Sequence, residues 1–252
     1  MIELAERIAR EAGAQLREAF SGGVLATHTK SSPTDLVSEA DLAAETLIRE
    51  ALLSARPEDG MLGEEGSDTP GTSGLRWIVD PLDGTTNFLF GIPQWAVSIA
   101  VEDESGTLAG VVFDPMRDEC WAAARGAEPT LNGEPLRRPE RTGGLANALV
   151  GTGFGYDAGV RAAQAASVTR LLPRVRDIRR AGSCAIDLAW TAAGRYDAYY
   201  ERGVKLWDIA AGELICASAG LHTRRLEPAP PAEGGILAAP AALADELASL
   251  VD

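Results

Sequence analysis

The stretch Trp77-Ile78-Val79-Asp80-Pro81-Leu82-Asp83-Gly84-Thr85-Thr86-Asn87-Phe88 constrains this chain more than any other. Its apolar start, Trp77 to Val79, predicts a buried strand. Asp80-Pro81 predicts a sharp break there, because proline has no N–H with which to continue a ladder. Two carboxylates, Asp80 and Asp83, stand three positions apart on the turn. Hard cations such as Mg²⁺ take oxygen ligands, and acids at the end of a rigid strand supply them. Leu82, between them, offers only its backbone carbonyl, which is also a hard ligand. Gly84-Thr85-Thr86-Asn87 then opens a helix or helical turn, where exposed N–H groups bind a phosphate and Gly84 lets it come close. Asp-Pro-x-Asp-Gly alone would also suit an ordinary acidic turn. Joined to the strand before it and the small polar residues after it, the segment points to metal-assisted phosphate chemistry.

Composition narrows the partners. The 252 residues suffice for one large domain or two halves sharing a core. A formal net charge of −14 argues against non-specific nucleic-acid binding, which depends on Lys and Arg neutralising phosphates. It leaves room for an anionic substrate, since bound cations invert the local field. Cys120, Cys184 and Cys216 are widely spaced and form no C-x-x-C pair, so reduced, mostly buried thiols are expected. Met1 to Phe20 is charged throughout and lacks a signal-peptide core, and no run approaches the ~20 apolar residues of a membrane span. These features predict a cytoplasmic protein with no membrane partner.

In chain order, Leu4, Ile8, Ala12, Leu16 and Phe20 recur at helical spacing, and Ser21-Gly22-Gly23 closes that helix. A second helix is predicted from Ala40 to Ala55, with Asp41 in its first turn, where dipole complementarity alone would place an acid. Met61-Leu62-Gly63-Glu64-Glu65 is another apolar approach ending in acids, only one of which can face a shared site. Ser67 to Gly74 reads as a surface loop, and Trp95–Val101, Leu108–Phe113 and Glu119–Ala124 read as strands. A short hairpin is predicted between Gly126 and Arg138. Pro139 to Gly144 is the candidate boundary between halves 1–140 and 141–252. Beyond it, Gly151-Thr152-Gly153-Phe154-Gly155 is a glycine turn without the spacing of a P-loop. Small residues Ala181-Gly182-Ser183-Cys184 precede an Ala-rich helix, Tyr196 to Glu201 is strand-like, and Asp208 precedes a helix that it could cap. A last strand (Gly234–Ala239) and a terminal helix from Ala241 complete the chain. No Cys-(x)₅-Arg loop is present, and neither His28 nor His222 has a phosphohistidine setting.

The motif resembles the signature of the inositol monophosphatase family, and the likeness extends from Lys30 to Gly220. Lys30, Asp35, Ser38 and Asp41 repeat the family pattern Lys-x-x-x-x-Asp-x-x-(Ser/Thr)-x-x-Asp, and Trp207-Asp208-Ile209-Ala210-Ala211-Gly212 matches its second signature. The resemblance implies an α/β (α+β) fold, a layered αβαβα sandwich. It implies two to three Mg²⁺ ions held by Glu64, Asp80, the Leu82 carbonyl, Asp83 and Asp208. Catalytic roles fall by resemblance to Asp41, Glu64 and Thr85, with Asp41 assisting the Thr85 hydroxyl. Substrate contacts fall to Asp83, Gly84, Thr85, Gly182, Ser183, Cys184, Glu201 and Asp208, with Glu201 receiving a substrate hydroxyl. Cys184 stands where relatives carry Ala, and Arg125-Gly126-Ala127-Glu128-Pro129 departs from their Gly-x-Gly-Ala.

By the same resemblance the activity is that of a lithium-sensitive phosphomonoesterase, usually a homodimer, acting through a metal-activated water. The substrate is a small phosphorylated polyol or sugar. Asp83-Gly84-Thr85-Thr86-Asn87-Phe88 and Glu201 after Tyr199-Tyr200 favour inositol monophosphate. Histidinol phosphate, fructose 1,6-bisphosphate and phosphoadenosine phosphate are the superfamily's other substrates. A regulatory binding protein retaining the fold is the alternative of another class, as some bacterial relatives assist the transcription machinery.

Overall fold

The computed structural model of the chain describes residues 1–22, 27–29, 36–139, 141 and 143–251. Lys30 and Asp35 of the family pattern lie outside these, and of Ser38 only the backbone is described. In chain order, α1 (Ile2–Gly22) is followed by a strand pair, β1 (Thr27–Thr29) and β2 (Leu36–Ser38), and by α2 (Glu39–Ala55). Next come β3 (Gly60–Gly63), β4 (Asp68–Thr69), β5 (Arg76–Asp83), the short α3 (Thr85–Leu89), β6 (Ala96–Asp103), β7 (Gly106–Asp114) and β8 (Glu119–Ala124). The predicted hairpin is β9 (Thr130–Leu131) and β10 (Glu134–Pro135). The remainder is β11 (Leu149–Thr152), α4 (Ala158–Leu171), β12 (Asp177–Arg179), α5 (Cys184–Ala192), β13 (Ala198–Arg202), α6 (Leu206–Ser218), β14 (His222–Leu226), β15 (Gly235–Ala239) and α7 (Ala241–Val251).

Two sheets result. Eight strands run in the order β10-β9-β8-β7-β6-β5-β3-β4, antiparallel except for the parallel pair β3–β5. Five strands run β12-β11-β13-β15-β14, with β11 parallel to both its neighbours. Helices α1 and α2 cover one face of the large sheet. Helices α5 and α6 fill the space between the sheets, and α4 and α7 pair beyond the small one. This is the αβαβα sandwich that the resemblance implies.

Side-chain alternation explains the layering. Trp77, Val79, Val97, Ile99, Val111 and Phe113 point to the core under α1 and α2, whereas Ile78, Ala96, Ala100 and Val112 point to the core under α5 and α6. A sheet covered on both faces needs continuous apolar strands, and β5 to β7 read that way. Helix α6 approaches β7 very closely. A Cβ built on Gly110 would lie 2.7 Å from the Ala211 Cα, so only glycine fits there. Phe88 anchors α3 by ring contacts to Trp95 and Phe20, with centroids 5.1 and 5.3 Å away. All three cysteines are free and buried. No helix among the described residues is long and apolar enough to cross a membrane.

Three local expectations need correction, and one strand was not anticipated at all. Pro81 does not end the strand: β5 continues to Asp83 through a register shift between Asp80 and Asp83, since a bulge accommodates a residue that cannot donate to the ladder. The Ser67–Gly74 segment contains β4, a two-residue edge strand too short to show periodicity. His222–Leu226 forms β14, an edge strand whose polar composition hides it from an apolar search. Asp208 lies inside the first turn of α6, three residues after Lys205, and does not precede the helix.

The contact at Gly110 yields a direct test. Gly110→Ala is expected to lower stability by about 1–3 kcal/mol, the usual cost of overpacking, and so to lower the urea midpoint. An unchanged midpoint would show that α6 can step back from the sheet.

Candidate active site

The site begins where the bulged end of β5 turns. The Asp80 Oδ1 accepts the Leu82 N–H at 3.0 Å, which fixes a fully buried carboxylate against its own turn. Gly84 follows with φ 105°, a left-handed conformation costly for any residue with a Cβ, and α3 starts at the next residue. The Thr85 hydroxyl lies 3.0 Å from the Asp41 Oδ1 and 3.1 Å from the Leu82 carbonyl oxygen. Asp41 is buried in the first turn of α2, so this contact ties that helix to the turn. Glu64 stands just past the end of β3, whose parallel pairing with β5 brings it beside Asp80. The backbone N–H of its neighbour Glu65 donates to Glu45 Oε2 at 2.8 Å.

The second sheet supplies the facing wall. The Asp83 Oδ2 accepts the Ser183 hydroxyl at 2.5 Å and the Ala185 N–H at 2.7 Å, so this carboxylate sits at the start of α5. Ser183 also caps that helix by accepting the Ile186 N–H at 3.3 Å. The Asn87 side-chain amide donates to the Gln94 and Ala181 carbonyls at 2.8 and 2.9 Å, a second tie between the walls. Strand β13 brings Glu201, whose Oε2 accepts the Tyr199 hydroxyl. Gly153 lies against it: a Cβ there would meet Glu201 Oε2 at 2.0 Å, so a side chain would displace the acid. In the first turn of α6 the Asp208 Oδ2 accepts the Lys205 N–H at 2.6 Å. Asp208 is therefore not the N-cap expected of it: from the third helical position it accepts the N–H of Lys205, the residue that does occupy the cap.

Glu64, Asp80, Leu82, Asp83, Gly84, Thr85, Gly182, Cys184, Glu201 and Asp208 all line one cavity of about 270 Å³. Asp41 and Ser183 stand behind it, reaching it through Thr85 and Asp83. Sequence reasoning missed Phe154, Tyr156, Arg180 and Lys205, which also line the cavity. The available signal was topological. Gly153 to Tyr156 leave the C-terminal end of β11, a strand parallel to both its neighbours, and crevices at such ends collect ligands.

The acids disturb one another. Burial pushes the Asp80 pKa well above the usual carboxylate range, and the charges of Glu64, Asp83 and Asp208 push it further. Burial also raises Asp208, with Asp83 and Glu64 adding to the shift. Asp83 is raised by burial to about 6, despite the opposing bonds from Ser183 and Ala185. Glu201 is raised by burial to about 7, against the Tyr199 hydrogen bond that favours its charged form. Lys205, on the rim, is already ion-paired to Glu233. As the side chains stand, no three His, Cys, Asp or Glu groups among the described residues close round one point as a finished metal cage. The donor set nonetheless suits hard divalent cations. Its acids are oxygen ligands only, and their mutual repulsion is what such a cation relieves.

Comparison with known proteins bears on the fold and the family. The sequence pattern described as "Inositol monophosphatase family" matches residues 1–252. Inositol-1-monophosphatase SuhB of Mycobacterium tuberculosis is 44% identical, over 97% of this chain and 90% of that protein. Nus factor SuhB of Escherichia coli is 38% identical, over 87% of this chain and 83% of its own. The crystal structure of extragenic suppressor protein suhB from Bartonella henselae superposes with a TM-score of 0.91 at 35% identity, covering 99% of this chain and 97% of that one.

The raised carboxylates set a pH dependence. Their folded pKa values exceed those of an unfolded chain (~4), so between about pH 4 and 7 the metal-free folded state holds more protons, and its stability falls as pH rises. A divalent cation that binds the ionised acids offsets this loss. Millimolar Mg²⁺ is therefore expected to raise the melting temperature more at pH 8 than at pH 5. Equal shifts at the two pH values would separate cation binding from these acids.

Proposed function

The chain belongs to the inositol monophosphatase family, and on that premise we propose that it is a Mg²⁺-dependent phosphomonoesterase converting myo-inositol 1-phosphate to inositol and phosphate. The observation that carries the reading is that Glu64, Asp80, Asp83 and Asp208 share one cavity with the Thr85–Asp41 pair and with Glu201. Two to three Mg²⁺ ions would be held by Glu64, Asp80, the Leu82 carbonyl, Asp83 and Asp208. When bound, such cations neutralise phosphate charge and lower the pKa of water enough to provide a nucleophile at neutral pH.

The remaining chemistry is assigned to this chain's own groups. The Gly84 and Thr85 N–H groups at the start of α3 would hold phosphate oxygens, since phosphoryl transfer depends chiefly on positioning and charge stabilisation. The Thr85 hydroxyl, directed at Asp41, keeps lone pairs on Oγ1 to accept a hydrogen bond from the attacking water and orient it. The water oxygen attacks phosphorus and gives up a proton to solvent, the bond from phosphorus to the ester oxygen breaks opposite it, and that oxygen takes up a proton from solvent as inositol leaves. The Tyr199 hydroxyl occupies one oxygen of Glu201, so the other is assigned to a polyol hydroxyl. Gly182, Ser183 and Cys184 would form the wall beside the ring. Histidinol phosphate and fructose 1,6-bisphosphate are the competing substrates.

A second reading rests on the relative named Nus factor SuhB, 38% identical over 87% of this chain. It assigns the protein a regulatory role with a protein partner, alongside or in place of hydrolysis. The net charge of −14 disfavours direct RNA contact in either role. A partner pull-down that survives Asp83→Asn would support this reading.

Phosphate release from inositol 1-phosphate, fructose 1,6-bisphosphate, histidinol phosphate and phosphoadenosine phosphate tests the first reading. Turnover of inositol 1-phosphate is expected with Mg²⁺, and is expected to be lost with EDTA and inhibited by Li⁺. Asp83→Asn should lower it by more than about 100-fold, beyond the cost of losing an outer-shell partner. Glu201→Gln should raise KM for inositol 1-phosphate more than it lowers kcat. If no phosphate ester is turned over, hydrolysis is abandoned in favour of the regulatory role.

A further inference from the structure

A second cavity, of about 600 Å³, lies at the opposite end of the small sheet from the active-site cavity. Strands β11 and β13 run parallel, with Val150 opposite Ala198 and Thr152 opposite Tyr200. Their C-terminal ends deliver Gly153 and Glu201 to the active-site cavity, and residues just before their N-terminal ends, Asn147 and Asp197 among them, line the second one. The two cavities are thus separated by one short strand length, roughly 15 Å.

Among the described residues, three arginines, Arg138, Arg141 and Arg176, line this cavity with one carboxylate, Asp197. Such a concentration of cations is unexpected in a chain of net charge −14. Two of them are held in place through backbone carbonyls. Arg138 donates to the Thr191 and Asp197 carbonyls at 3.4 and 3.2 Å, and Arg176 donates to the Asn147 carbonyl at 3.0 Å and its side-chain oxygen at 3.4 Å. Arg141 reaches Asp197 Oδ2 only at 3.5 Å, and that oxygen already accepts the Leu149 N–H at 2.8 Å. A guanidinium carries five N–H donors. These contacts therefore leave most donors of the cluster without a protein acceptor among the described residues. Burial holds the Arg138 pKa below its ordinary value against the raising effect of Asp197, and the like charge of Arg141 adds a smaller lowering.

We propose that this cavity is a second anion site, which takes the tetrahedral phosphate of a small phosphorylated molecule or inorganic phosphate itself. Fixed guanidinium forks match phosphate geometry and give shorter, stronger hydrogen bonds than neutral donors. No aromatic side chain among the described residues lines the cavity to stack on a base, so recognition is of the anion and not of a nucleoside. A concave site in an acidic protein admits a small anion and repels a polyanion. The site is separate from the hydrolytic centre, so its occupant would act on the strands that end there and would not be turned over.

Equilibrium dialysis with radiolabelled inorganic phosphate and the full chain in Mg²⁺ tests this. Wild type is compared with Asp83→Asn and with the double variant Arg141→Gln, Arg176→Gln, whose exposed side chains can be replaced without opening the core. Circular dichroism confirms that each variant is folded. Binding that persists in Asp83→Asn and weakens at least about tenfold in the arginine variant is expected, tenfold being the low end for losing charged hydrogen bonds. Phosphate binding that is abolished by Asp83→Asn, or is unchanged in the arginine variant, overturns the proposal. So does the absence of binding to wild type below about 10 mM, an affinity too weak for a built site.

Discussion

The contact on which the rest of the site depends is the one between Asp83 and the start of α5. Asp83 ends the central strand of one sheet, and its carboxylate receives the Ser183 hydroxyl and the Ala185 N–H from the helix that leads into the other. An anion at a helix N-terminus meets unpaired N–H groups and the positive end of the dipole, so the bond is favourable before any ligand arrives. Asn87 makes a parallel tie to the Ala181 carbonyl. The cavity exists because these two bonds bring the ends of β5 and of β11 and β13 together. Neither sheet carries the site alone.

That geometry has an electrostatic cost. Bringing Asp80, Asp83 and Asp208 together with Glu64 in a partly dry cleft raises the pKa of the first three. A chain selected only for stability would replace at least one of them. Strain of this kind, concentrated at one cleft and offset by three apolar layers elsewhere, is common where stability is given up for chemistry.

Much of this was legible in the sequence because the residues concerned are short-range. Asp80, Leu82, Asp83, Gly84 and Thr85 lie within six consecutive residues, and an apolar run followed by acids and glycine announces itself. Glu64 and Asp208 could be placed only through motif resemblance, since their approach to Asp80 depends on strand pairing and on packing between layers. Phe154, Tyr156 and Arg180 were not found at all. They belong to connecting loops whose composition is unremarkable, and only the parallel order of β12, β11 and β13 puts them at the cavity. Pro81 misled for a similar reason: a missing N–H shows locally as a break, but whether the strand stops or bulges is decided by the neighbour, here β6.

Helix α6 has a further consequence. It lies between the two sheets, with Ala210 and Ala211 buried, Gly212 pressed against Leu188, and Ala211 against Gly110. The same helix carries Asp208 in its first turn. The gap between the sheets is therefore a gauge, set by the girth of three of the smallest side chains and transmitted along a rigid rod to the carboxylate at its tip. A methyl group added near the middle of that rod would retune the spacing of acids it never touches. In such a molecule the drift of core volume and the drift of substrate preference are one evolutionary variable.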